Sequence, residues 1–128
     1  MIMNKELGLM LYWGEGDKAR KSFVALTNTD PKVLIYFVNW FRRYFYFDEN
    51  RLRGRLYIWE DLDEERAKNF WSGILGIPVS QFTKSYISKS KSKVKKRRHE
   101  FGVCRVSYCS AKIYNEIMEG IKENFHLK

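Results

Sequence analysis

Three groups of residues in this chain have the types and spacing to do chemistry. The first is Gly14-Glu15-Gly16, which follows the apolar run Leu7 to Trp13. Glycine lets the backbone turn sharply and come close to another group. A carboxylate between two glycines at a helix end is therefore projected, not packed. Lys18, Arg20 and Lys21 follow it with positive charge. The same stretch also reads as an amphipathic core helix with a glycine C-cap, and the residues alone leave both readings open. The second group is Arg51 to Glu60, the cleanest alternation in the sequence. Arg51, Arg53, Arg55, Tyr57 and Trp59 share one side, and Leu52, Gly54, Leu56 and Ile58 the other. The first set forms a basic and aromatic ridge. Guanidinium groups contact phosphate or guanine edges, and a two-stranded ribbon can enter a major groove. The alternative is a solvated strand face, in which three like charges would repel one another. The third group lies between Lys89 and His99: Lys89, Lys91, Lys93, Lys95, Lys96, Arg97 and Arg98. Serine alternating with lysine has no apolar face to bury, so a flexible basic loop that orders on phosphate is expected here.

Other chemistries find little support. Asp61, Asp63, Glu64 and Glu65 stand together, but acids in a first helical turn complement the helix dipole, and that role accounts for them. His99 and His126 are isolated, and there is no Cys-x-x-Cys pair. Cys104 and Cys109 are expected on one strand, on opposite faces, where they cannot pair. The sequence has no phosphate-binding loop carrying Lys and Ser/Thr, and no nucleophile elbow.

The elements that must position these groups follow from local signals. Lys5 to Trp13 reads as a helix and Ser22 to Asn28 as a strand. Asp30-Pro31 starts a second helix whose Val33, Leu34, Phe37, Val38, Trp40, Phe41, Tyr44 and Phe45 make a wide apolar face. The ridge strand follows it. Next comes a helix over Asp61 to Leu75, closed by Gly76 and Pro78. Gln81 to Ser88 and Phe101 to Cys109 read as two strands that pair with each other. Lys84 and Arg105 on them join the candidate contacts. A last helix after Ser110 carries the stripe Ile113, Tyr114, Ile117, Met118, Ile121 and Phe125. The order predicts an α+β fold, a mixed or antiparallel sheet with helices on one face.

Composition narrows the partner. The chain has 128 residues, which favours one domain over 1–128, and 45% of them are hydrophobic, enough for a real core. Its net charge of +9 favours a polyanionic partner, nucleic acid or an acidic membrane surface. No apolar run is long enough to span a bilayer, and Leu7 to Trp13 is too short for a signal peptide, so a cytoplasmic protein is expected.

The run Leu11-Tyr12-Trp13-Gly14-Glu15-Gly16 resembles the signature of the LAGLIDADG family, the homing endonucleases and their DNA-binding relatives. The onward blocks are similar to those of a group of small bacterial relatives. These are Tyr12-Trp13-Gly14-Glu15-Gly16-Asp17-Lys18, Thr27-Asn28-Thr29-Asp30-Pro31, Phe70-Trp71 and Gly76-Ile77-Pro78. The resemblance implies a curved sheet laid into the major groove of double-stranded DNA. It also implies Glu15 as the catalytic residue and as ligand to Mg²⁺. The family builds its active site from two motif helices, and this chain has one. Cutting would therefore take a homodimer through the Leu7–Gly14 helix. Met10 departs from the family pattern, which has a small residue where those helices touch. Two further outcomes follow: a regulator of the same fold that binds DNA without cutting, or an RNA-binding module in which Tyr57, Trp59 and Tyr86 stack bases.

Overall fold

The computed structural model describes residues 3–89 and 100–125. Helix α1 (Lys5–Glu15) begins at Asn4, whose side chain accepts from the Leu7 N–H at 2.8 Å. Strand β1 (Phe23–Asn28) leads to Asp30, which caps α2 (Pro31–Tyr44) with Pro31 in its first turn. After a 3₁₀ turn (Glu49–Arg51) come β2 (Arg53–Trp59) and α3 (Glu64–Leu75). Asp63 caps α3, and Gly76, in the left-handed region at φ 67°, closes it. A second 3₁₀ turn (Val79–Gln81) precedes β3 (Tyr86–Ser88). Strand β4 (Val103–Cys109) and helix α4 (Ala111–Phe125) complete the described chain. The expected α+β class holds, with four strands in one mixed sheet.

The sheet order is β1-β4-β2-β3, with β4 antiparallel to both neighbours and β3 parallel to β2. Two expectations about its strands are corrected. The Gln81 to Ser88 segment does not pair with the 101–109 strand, because β4 spends its two edges on β1 and β2. β3 instead joins β2 in parallel, as a strand reached through a crossover helix, α3, must. β3 is also shorter than expected. Pro78 launches the 3₁₀ turn, and Gln81 is held there by its side-chain amide on the Glu49 and Leu52 carbonyls, at 2.9 and 2.7 Å.

Alternation puts Val24, Leu26, Leu52, Leu56, Ile58, Cys104, Val106 and Tyr108 on one face, all buried in a single core cluster. All four helices contribute to it, α2 through Leu34, Phe37, Val38, Trp40 and Phe41. Two glycines bring α1 close to its neighbours. A Cβ on Gly8 would lie 2.0 Å from the Trp40 ring, whose Nε1 donates to the Lys5 carbonyl at 3.1 Å. Gly120, which reads from sequence only as a weak helix former, lets α4 approach Leu9 to within 3.0 Å of where a Cβ would sit. Trp13 stacks on Phe125 at 5.1 Å, joining the same two helices at their ends.

Candidate nucleic-acid interface

The second sheet face is the one the ridge residues occupy. Arg53, Arg55, Tyr57 and Trp59 alternate with the buried residues of β2, and Val103, Arg105, Ser107 and Cys109 with those of β4. β2 and β4 are the inner strands, so this face has a centre. There the register sets Arg55 directly opposite Arg105, with Arg53 opposite Ser107 and Tyr57 opposite Val103. Like charges opposite one another on a sheet destabilise it, and each of the two arginines has a partner of its own. Arg55 lies over the Tyr57 ring at 5.5 Å, and Tyr57 and Tyr86 of β3 have centroids 6.1 Å apart. Arg105 meets Asp17 at 3.3 Å.

Asp17 belongs to the turn that ends α1. Its N–H donates to the Ala25 carbonyl at 2.8 Å, and its own carbonyl accepts from the Tyr12 hydroxyl at 2.6 Å. The Ala25 N–H in turn donates to the Tyr12 oxygen at 3.3 Å. The outer edge of β1 is thus covered by the α1 turn, which protects it from pairing with another chain. Gly16 is required there: a Cβ would sit 2.4 Å from the Tyr12 ring. Its backbone is extended, at φ −74°, so the close approach and not a left-handed cap explains the glycine. Gly14 has nothing within 4 Å of where its Cβ would be.

Glu15 is the exposed last residue of α1. Leu7, Met10 and Trp13 are also exposed on this helix, in a stripe beside Gly14. The remaining basic candidates divide by what holds them. The Lys18 ammonium donates to the Trp13 and Gly16 carbonyls, both at 2.9 Å, and so completes the C-terminus of α1. Arg20 lies over the Phe23 ring at 4.5 Å. Arg51 is displaced from the ridge. It ends the 3₁₀ turn capped by Asp48, lies over the Tyr108 ring at 4.8 Å and donates to the Cys109 carbonyl. Arg53 starts the strand, and its Nη1 folds back onto the Asn50 and Leu52 carbonyls at 2.6 and 3.0 Å. Trp59 ends β2 beside Ser88, and Lys84 is exposed just before β3. Lys91, Lys93, Lys95, Lys96, Arg97 and Arg98 lie outside the described residues.

Two residues that the sequence does not single out hold the frame. Arg42 donates to the Leu75 and Gly76 carbonyls at 2.8 and 3.1 Å, closing α3, and pairs with Glu49. Asp17 links the Glu15 turn to the centre of the open face. Neither role has a local signal, since the partners stand 33 and 88 positions away.

Glu15 is one exposed carboxylate at this turn. Among the described residues no group of three His, Cys, Asp or Glu side chains could hold an ion. Asp17, the nearest carboxylate in sequence, is turned to Arg105. No described helix is long and apolar enough to cross a membrane. No protein-family profile and no curated protein matches the chain.

Proposed function

We propose that this protein is a cytoplasmic DNA-binding protein that takes double-stranded DNA on the open face of its sheet. The observation that carries this reading is the central Arg55–Arg105 pair on the two inner strands, flanked by Arg53, Tyr57 and Trp59 on a face the core does not use. The inner strands β2 and β4 are antiparallel, the arrangement of the ribbons that a major groove about 12 Å wide admits, here flanked by β1 and β3. The net charge of +9 supplies the long-range attraction to phosphate. The LAGLIDADG resemblance points to the same ligand and the same face.

The test is selection from randomised duplex, with Mg²⁺ and with EDTA, followed by sequencing of what is retained and what is cut. Retention of duplex over single strands is expected. Preference for single strands would favour the RNA reading instead, with Tyr57, Trp59 and the exposed Tyr86 as stacking surfaces.

Salt should weaken binding steeply. Replacing Lys91, Lys93, Lys95, Lys96, Arg97 and Arg98 by glutamine should flatten the log–log salt slope by about 0.9 for each phosphate no longer neutralised. A slope that stays the same would show these six charges to be solvated surface.

Cutting asks more of the molecule than binding does. It requires a second copy to bring another Glu15, and the exposed Leu7, Met10 and Trp13 stripe is where that copy would sit. The bulk of Met10 where the helices would meet favours binding without cutting. Retained duplex should therefore be intact with Mg²⁺ as with EDTA, and Glu15→Gln should bind as the wild type does. A Mg²⁺-dependent nick that Glu15→Gln abolishes would establish the endonuclease, and a doubled mass on sizing the homodimer.

A further inference from the structure

We infer that Asp17 is a positioning residue for Arg105, and that Arg105, held this way, reads a base edge together with Arg55. The inference rests on the duplex-DNA reading above and names the residues that would give it sequence preference. Arg105 sits mid-strand on β4, and Arg55 occupies the facing position on β2. An arginine there, free to rotate, would be pushed about by the like charge opposite and would lose that freedom on binding.

Asp17 removes the freedom beforehand. Main-chain bonds to Ala25 and Tyr12 hold its backbone, and its carboxylate Oδ1 accepts from the Ala19 N–H at 2.9 Å. Only Oδ2 faces Arg105, and it meets one nitrogen, Nη2, at 3.3 Å. A guanidinium has five donors in a fork, so a single contact orients it and leaves the rest for a ligand. Side-chain exposures of 22% for Arg105 and 23% for Asp17 place the pair largely out of solvent, where salt screens it less. Pre-ordering of this kind lowers the entropic cost of binding. Arg53 is held differently, with its Nη1 folded back onto the main-chain carbonyls of the turn before β2.

The experiment measures the ratio of affinity for the selected motif to affinity for random duplex. Wild type, Asp17→Asn, Arg105→Lys and the double variant are compared, with melting curves for each. Asparagine keeps the side-chain oxygen that Ala19 needs, and lysine keeps the charge but not the fork. Each single variant should lower the ratio by about 10- to 100-fold, the scale of one bidentate arginine–guanine pair. Affinity of Asp17→Asn for random duplex should hold or rise, since a carboxylate has left the face. The double variant should lose no more than either single one.

Unchanged stringency in Asp17→Asn, or losses that multiply in the double variant, would overturn the inference while leaving DNA binding in place. Arg105→Lys with wild-type stringency would overturn it too, and decides the matter if the asparagine variant does not fold. A wild type that binds every duplex alike, or none, would take down the DNA reading or its sequence preference first.

Discussion

Between about pH 9 and pH 12 this protein should lose a large part of its folding stability. Two buried groups set that window. Burial pushes the Cys104 thiol from its ordinary 9.0 up to about 12. Burial likewise pushes the Tyr12 phenol from 10.0 up to about 12, against the opposing hydrogen bond from Ala25. In the unfolded chain both groups ionise at their ordinary values. In the folded chain both hold their protons until about pH 12. The unfolded state therefore releases protons first, and each further pH unit favours it. The stability in question is fully present below pH 9 and is lost as the pH climbs to 12. Its size is on the order of 4 kcal/mol for the thiol and on the order of 3 kcal/mol for the phenol. Domains of this kind have roughly 5–15 kcal/mol in total. Urea midpoints from about pH 8 to about pH 12 check it. Cys104→Ala and Tyr12→Phe should start less stable than wild type, the first from a small cavity, the second from the absence of two hydrogen bonds. Their midpoints should then fall less steeply with pH. Parallel declines in all three proteins would show that other groups drive the alkaline transition.

The strands that carry these residues show what the sequence makes legible. The alternation of Arg53 to Trp59 needs no tertiary context: a strand with one buried face must place every second residue inside, and it does. Asp30-Pro31, Asp63 and Ser110 act as caps through atoms within three positions of themselves, so their roles are local and readable. Pairing is different. Which strand joins which depends on edges already occupied. Nothing between Gln81 and Cys109 states that β4 enters between β1 and β2 and leaves β3 on the outside. Strand ends are also set from afar. Arg51 fits the alternation, yet Asp48 draws it into a 3₁₀ turn and Tyr108 provides its resting place.

The site divides along the same line. The face that carries the basic ridge is legible, because periodicity alone determines it. The state of each basic residue is not. Lys18, Arg51, Arg53, Arg55 and Arg105 look equivalent in the sequence. In the fold, Lys18 closes a helix, Arg51 and Arg53 hold turns, Arg55 lies over a tyrosine and Arg105 meets a carboxylate. Charge counts predict attraction to a polyanion; only the partners of each guanidinium say which are presented to it. Gly8, Gly16 and Gly120 make the same point for packing, since each is explained by a side chain that approaches it and not by a turn.

Trp71→Ala should cost about 3–5 kcal/mol, the scale for a large aromatic removed from a closed core. Trp71 is 1% exposed, and its Nε1 donates to the Phe101 carbonyl at 2.8 Å. The neighbouring Phe70 stacks on the Phe101 ring at 3.9 Å, with Arg66 over the same ring at 5.2 Å. α3 thus grips the point where the chain re-enters the sheet after the basic segment, just ahead of β4 and Arg105. Gly102, next in line, adopts φ 71°, and a Cβ there would meet Ile58 at 2.5 Å and the Tyr57 carbonyl at 2.8 Å, so this entry has no room for a side chain. Three variants separate the contributions. Trp71→Phe keeps most of the volume and removes the donor, leaving a part-buried carbonyl unpaired at a cost of about 1–3 kcal/mol. Phe101→Ala removes the ring stack but keeps the carbonyl, and should be the mildest. Trp71→Ala removes both volume and donor, and should be the most damaging. Urea midpoints give the order. If Phe101→Ala proved as costly as Trp71→Ala, the half-buried ring stack, and not the buried indole, would be what fixes the start of β4.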